Sequence, residues 1–209
     1  FADMTVHTHL PLSGIKMSAP TLHFPQQATF HILNYMTGLA DAFTRLGGRI
    51  YTGNHVNEVK GGKQAYVKTD DGFKVTAKHI VVATNTPIND WVKMHTKQAA
   101  YRTYVIAYRI PRDAYPGFLL WDMEDPYHYV RILRGPGHDL LMVGGEDHKT
   151  GQANDMEGRY RKLDSWARRY FATLGPIEYR WSGQVMEPVD SLAFIGRNPM
   201  DEENVYIVT

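Results

Sequence analysis

At 209 residues, with 43% hydrophobic and 22% charged side chains, the chain is long enough for one large or two small cores of ordinary globular make-up. A formal net charge of +1 argues against nucleic acid or an anionic membrane surface as a partner, and no apolar run approaches the roughly 18–20 residues that span a bilayer. The absence of cysteine excludes disulfides, thiolate catalysis and cysteine-held zinc or iron–sulfur centres within these residues, and is compatible with a cytoplasmic setting.

Residues 1–26 hold Pro11, Pro20 and Pro25 and read as loops with short extended pieces. Phe1–Pro11 carries Asp3 and His7 and has no basic head before an apolar stretch, so no secretory leader is expected. From Gln27 to Leu46 the positions Phe30, Leu33, Tyr35, Leu39, Ala42, Phe43 and Leu46 mark a helical stripe, which Gly47-Gly48 should end as a C-cap. A strand series should begin at Arg49–Tyr51 and continue through His55–Lys60. Gln64–Thr69 and Phe73–Ala77 flank Asp70-Asp71-Gly72, a strong hairpin signature. The continuous run Ile80-Val81-Val82-Ala83 has the pattern of a strand covered on both faces.

After Pro87 the texture changes to strand-like segments separated by turn residues: Tyr101–Ile110, Phe118–Asp122, Tyr127–Leu133 and Asp139–Val143. They predict an antiparallel sheet. Asp155–Phe171 is a second helix, with Tyr160, Leu163, Trp166, Ala167 and Tyr170 on one face. Strands follow at Ile177–Val185, Ala193–Ile195 and Val205–Val208. The fold class expected is α+β, a mixed or antiparallel sheet domain with helices. Ending at an apolar strand, the chain is expected to be an internal fragment of a longer protein.

No strand–G-x-G-x-x-G–helix unit occurs in the sequence, so the backbone N–H cradle for a dinucleotide pyrophosphate is not encoded here. Gly61-Gly62 has turn chemistry, and Gly144-Gly145 follows a strand without opening a clear helix. Neither a G-K-[ST] phosphate loop nor a G-x-S-x-G elbow is present. His7 and His9 form an H-x-H pair without an apparent third ligand, so no metal site is expected. His128 and His148 each follow acidic residues, with structural or solvated-loop roles as the alternative. The aromatic share of 12% suits a sheet-rich core, with an aromatic-lined ligand pocket as the other reading.

Two blocks resemble the D-amino-acid oxidase and glycine oxidase family of FAD-dependent oxidoreductases. One is His55-Val56-Asn57-Glu58-Val59 with Ile80-Val81-Val82-Ala83-Thr84. The other is Trp181-Ser182-Gly183, Asp190, Ile195-Gly196-Arg197-Asn198-Pro199 and Val205–Thr209. A narrower likeness is to bacterial members that often carry a C-terminal Rieske domain. It rests on Asp125-Pro126-Tyr127-His128-Tyr129, on Gly144–Gly151 and on Trp181-Ser182-Gly183-Gln184. The resemblance implies FAD as cofactor, with its glycine motif before Phe1 and a second flavin-contacting glycine segment after Thr209. It implies cofactor contacts at Val56 and at Ala83-Thr84-Asn85, where Asn85 replaces the usual glycine and still tolerates positive φ. It also implies hydride transfer to flavin from the carbon beside an amine.

Glycine oxidase-like members carry a carboxylate-binding arginine after the Trp-x-Gly strand, and at that position this chain has Val185. Either Arg131 or Arg102 replaces the clamp, or the substrate is not a simple α-amino acid; the second is the expectation. Candidate pocket residues are His128, Arg131, Glu146, Asp147, His148 and Gln184, with helix capping, turns or surface ion pairs as the structural alternative. The domain reading is a partial FAD domain at 1–86, a substrate-binding sheet domain at 87–190 and a return toward the FAD domain at 191–209. The expected partners are a small-molecule substrate and a possible Rieske domain on the same polypeptide. By itself the fragment is expected to be inactive. A non-catalytic small-ligand module remains the alternative.

Overall fold

The computed structural model describes residues 3–89, 94–199 and 201–209. Its elements begin with β1 (Thr5–His7), β2 (Thr21–His23), α1 (Ile32–Arg45), β3 (Val56–Lys60), β4 (Tyr66–Thr69), β5 (Lys74–Thr76) and β6 (Ile80–Val82). They continue with β7 (Gln98–Ile110), β8 (Leu119–Trp121), β9 (His128–Leu133), β10 (Asp139–Lys149), α2 (Met156–Tyr170), β11 (Ile177–Pro188), β12 (Ile195–Arg197) and β13 (Val205–Val208). The fold is α+β, with sheets that are mostly antiparallel. The chain divides into two units, Phe1–Leu39 with Arg102–Gly183, and Ala40–Tyr101 with Gln184–Thr209.

The first unit is organised by a five-stranded sheet in the order β11-β7-β10-β9-β8. One face receives α2. Alternate residues Tyr104, Ile106, Tyr108 and Ile110 of β7, Val130 and Ile132 of β9, and Leu141 and Val143 of β10 point there, as period-two strands require. They pack with Tyr160, Leu163, Trp166 and Ala167, which recur at helical spacing along α2. Burying each such large apolar side chain contributes about 1.5–3 kcal/mol. Arg168 and Arg169 in the last turn of α2 also oppose the negative end of its dipole.

α1 ends as its sequence predicts. Gly47 adopts φ +88°, its N–H donates to Thr44 O, and the Gly48 N–H donates to Phe43 O, both at 3.0 Å, which is a Schellman closure. Its start differs: the helix begins at Ile32 rather than Gln27, because the His31 ring accepts the Asn34 N–H at 3.3 Å and stands in for an N-cap. The apolar stripe of α1 is real but not buried; Leu33, Tyr35, Leu39 and Phe43 are all exposed.

In the second unit β3, β4 and β5 form an antiparallel meander, with Val59 opposite Val67 and Tyr66 opposite Thr76. The β4–β5 hairpin turns at Asp70–Phe73 as expected, while no strand forms at Arg49–Tyr51. β6 lies parallel to β13, which pairs antiparallel with β12. Ile80, Val82, Val205 and Ile207 share a small core with Ala65 and Met94. The reading of Ile80–Ala83 as covered on both faces does not hold among the described residues: Val81 is 61% exposed, because only one side of the β6–β13 pair is packed.

Candidate functional site

His128 opens β9 on the side of the sheet that faces α2, and it is 3% exposed. Asp122, at the start of the β8–β9 connection, fixes it twice. Asp122 Oδ1 accepts the His128 N–H at 2.6 Å, and Oδ2 lies 2.7 Å from Nδ1. The imidazole stacks on the Trp166 indole, with centroids 4.5 Å apart. Glu146 is also buried, with Oε1 3.6 Å from His128 Nε2, and its Oε2 takes Arg159 at 3.5 Å and Lys162 at 3.3 Å. His148 Nε2 is 2.9 Å from the Tyr104 hydroxyl on the same face, and burial raises the Tyr104 pKa.

β10 was expected to stop at Val143. It instead runs to Lys149, and it changes phase on the way. Leu141 and Val143 face α2, yet so do Glu146 and His148. The shift falls at Gly145 (φ +137°) and Glu146 (φ +56°), two left-handed residues in succession that turn the strand by one position. The twist sends Asp147 to the face away from α2.

There Asp147 meets Tyr127, Tyr129 and Thr103. Tyr127 donates its hydroxyl to Asp147 Oδ2 at 3.4 Å, and the Tyr129 and Thr103 hydroxyls are 3.2 Å apart. The two tyrosine rings are 6.2 Å apart. Tyr129 lies across Gly144, its cross-strand partner, where any Cβ would come within 2.1 Å of the ring. Asp147 Oδ1 is buried without a hydrogen-bond partner. Burial raises the Asp147 pKa, with Glu146 adding to the rise, against the lowering by the Thr103 and Tyr127 hydroxyls and by His148. Arg131, two residues after Tyr129, shares this face by alternation and has no carboxylate partner among the described residues. The arrangement offers a half-buried carboxylate beside aromatic rings, a surface suited to an organic cation.

The six candidate pocket residues therefore do not converge. His128, Glu146 and His148 face α2, whereas Arg131 and Asp147 lie on the opposite side. Gln184 belongs to the second unit, where its Nε2 donates to Thr86 Oγ1 at 3.1 Å and its carbonyl accepts from Asn85 Nδ2 at 3.0 Å. Arg102 is engaged with Ser182 Oγ at 3.0 Å. Sequence reading missed Asp122, Tyr129 and Thr103 as site residues; the Asp122–His128 spacing was visible, the Tyr129–Gly144 pairing was not.

The second unit supplies the residues a cofactor could use. Ala83, Thr84 and Asn85 leave the carboxyl end of β6 beside the carboxyl end of the parallel β13, the edge at which open α/β sheets bind ligands. Asn85 takes φ +63°, a left-handed value that asparagine tolerates, and its carbonyl accepts from the Thr209 hydroxyl. Gln98, also held by Thr209, buries an Nε2 with no acceptor. An orphaned amide donor and a left-handed turn at strand ends fit a polar ring edge, while the pyrophosphate would need a cradle that these 209 residues do not encode. Val56 starts β3, half-buried opposite Thr69.

No helix among the described residues is long and apolar enough to cross a membrane. In sequence the chain is 29% identical over 210 residues to YhfW of Bacillus subtilis (strain 168), named as a Rieske 2Fe-2S iron-sulfur protein, covering 99% of this chain and 40% of the relative. It is 27% identical over 177 residues to gamma-glutamylputrescine oxidoreductase of Escherichia coli (strain K12), covering 80% of this chain and again 40% of the relative. The chain thus spans well under half of either curated relative. In fold it is similar to glycine oxidase from Geobacillus kaustophilus (TM-score 0.70, 15% identity, 91% of this chain and 51% of that one). It is also similar to the fructosyl amine:oxygen oxidoreductase Amadoriase I from Aspergillus fumigatus (TM-score 0.68, 12% identity, 99% of this chain and 55% of that one). The family model for FAD dependent oxidoreductases, DAO, matches residues 6–209, and the chain belongs to that family.

Proposed function

We propose that this chain is the substrate-side portion of a flavin-dependent enzyme that oxidises an amine-bearing small molecule, received on the α2-free face of the five-stranded sheet. Asp147 carries the reading. Its Oδ1 is buried and unpartnered, its pKa is raised by burial, and tyrosine rings stand beside it. A carboxylate in that state gains a charge-assisted hydrogen bond when an ammonium arrives. It can then take a proton at Oδ1, leaving the amine neutral, and a raised pKa makes it the better base near neutral pH. Tyr127 and Tyr129 cover the cation and exclude water. FAD, when bound, supplies the hydride acceptor.

On this reading 1–86 is part of the cofactor domain, 87–190 the substrate domain and 191–209 the return, with Val56, Ala83, Thr84 and Asn85 as cofactor contacts. The names of two relatives support an oxidisable amine and a Rieske domain on the same polypeptide. Arg131 favours a second reading, in which it clamps a carboxylate that Val185 cannot hold.

Steady-state oxidation by the FAD-loaded, natural full-length protein separates them. Diamines and other amines carrying a second cation should outrun neutral α-amino acids, and Asp147→Asn should raise KM for them about ten- to a hundredfold, the equivalent of a lost charged hydrogen bond. If glycine or D-alanine is preferred and Arg131→Ala abolishes that preference, the carboxylate clamp has moved to Arg131 and the amine-cation reading falls.

A further inference from the structure

The α2-free face of the sheet carries two charges of opposite sign, and the strand register sets how far apart they stand. Leu119, Arg131 and Met142 are partners across β8, β9 and β10, and Trp121, Tyr129 and Gly144 form the next row. Directly opposed residues share a face. Arg131 therefore lies one row to one side of Tyr129, while Asp147 lies to the other side, against Tyr127. From Tyr127 to Arg131 the chain takes four extended steps, roughly 13 Å at about 3.3 Å per residue. Met142 to Asp147 spans the same distance once the phase shift of β10 has absorbed one residue. The Tyr129 phenol sits between the two charges. Burial raises its pKa, the Thr103 hydrogen bond opposes that, and beyond these Asp147 raises it and Arg131 lowers it. Arg131 is half-buried, and its guanidinium has neither a hydrogen bond nor a carboxylate partner among the described residues.

We propose that Asp147 and Arg131 are the two ends of one elongated site, which takes a zwitterion with a primary ammonium at one end and a distant carboxylate at the other. The inference rests on Asp147 receiving the amine. An α-amino acid cannot bridge the two ends, because its nitrogen and carboxyl carbon stand only about 2.5 Å apart. The flexible arginine stem narrows the gap between charged groups to roughly 8–13 Å, which an extended chain of about seven to ten carbons spans at roughly 1.25 Å per bond. The guanidinium holds the carboxylate through two parallel N–H bonds. Between the ends the linker lies along Tyr129, with Trp121, 58% exposed, and Met142 beside it as an apolar floor. A second cation in place of the carboxylate meets Arg131 and is repelled, so an α,ω-diamine fits one end only.

Steady-state oxidation of ω-amino acids of about four to twelve carbons, each paired with the n-alkylamine of the same length, tests this in the FAD-loaded, natural full-length protein. For the acids kcat/KM should peak near about eight to ten carbons, and there exceed the alkylamine by about ten- to a hundredfold, as one bidentate charged contact provides. Arg131→Ala should bring that ratio down to about one, and Arg131→Lys should restore part of it, since a lysine supplies the charge without the fork. Asp147→Asn should raise KM for acids and alkylamines alike. If Asp147→Asn does so but the acids never exceed the alkylamines, the elongated site is wrong and the amine reading stands. If Asp147→Asn spares both series, the amine reading falls and takes this inference with it. A preference that is greatest for the shortest acids, or one that survives Arg131→Ala, also overturns the assignment.

Discussion

At the level of single residues, two aspartates in the same sheet are set in opposite directions. Asp139 is buried, which alone would push its pKa up. The Asp113 N–H at 3.0 Å, the Arg134 guanidinium and the Gly135 N–H outweigh that and hold it below the usual carboxylate range. A depressed folded pKa contributes stability that is present above the unfolded value, near 3.9, and lost as pH falls through the folded one. Chemical denaturation of Asp139→Asn should therefore show a deficit at pH 7 that shrinks below about pH 4, where the wild type has lost the same contribution. Asp147 behaves in reverse. Its raised pKa means the ionised form is disfavoured in the folded state, so its contribution is most favourable below the unfolded value and declines as pH rises through the folded one. Asp147→Asn should raise the melting temperature at pH 7 while weakening amine use; a mutant that melts lower would show the carboxylate to be structurally supported. Neither behaviour was legible in the sequence, because both depend on which face and which loop N–H groups each side chain meets.

At the level of elements, periodicity located most of the architecture and failed where the backbone leaves its regular period. The α2 face Tyr160, Leu163, Trp166 and Ala167 is buried as its spacing predicts, and Gly47-Gly48 closes α1 as a glycine pair should. The failure is β10. Gly144-Gly145 reads as the end of a strand, and nothing in the residue types signals that Glu146 would accept φ +56° to carry the strand onward with its faces exchanged. Alternation alone separates Asp147 from Glu146 and His148, which sequence grouped as one pocket, and the shift decides that Glu146 and His148 face α2 while Asp147 takes the other side. Leu163 lies fully buried under the sheet, so Leu163→Ala should cost about 2–5 kcal/mol in urea unfolding. A loss below about 1 kcal/mol would mean that α2 is not docked as described. The β10 shift predicts in addition that Glu146→Gly keeps the backbone, since glycine takes positive φ freely, while His128 loses its facing carboxylate.

For the whole molecule, the family and the fold class were legible from the order of short blocks spread along the chain, whereas burial was not. The stripe of α1 and the run at β6 have the pattern of elements covered by further layers, and in this chain Leu33, Leu39 and Val81 are exposed. Hydrophobic patterning records that an element has an apolar side, and whether anything covers that side cannot be inferred from the element itself. The same reasoning bears on the cofactor. Asn85, Thr209 and the unpartnered Gln98 Nε2 can meet one edge of a flavin-sized ligand, but most of the affinity for a dinucleotide comes from N–H groups and a helix N-terminus around the pyrophosphate. The 209-residue chain purified alone should therefore emerge colourless from desalting after incubation with excess FAD. It should also bind a hydrophobic dye through α1, and Leu33→Lys with Leu39→Lys should reduce that dye signal without lowering the unfolding midpoint, since neither side chain contributes to the core. Retention of one flavin per chain would mean that the strand ends at Asn85 and Thr209 bind the cofactor without a phosphate cradle, and the assignment of 1–86 as an incomplete cofactor domain would have to be abandoned.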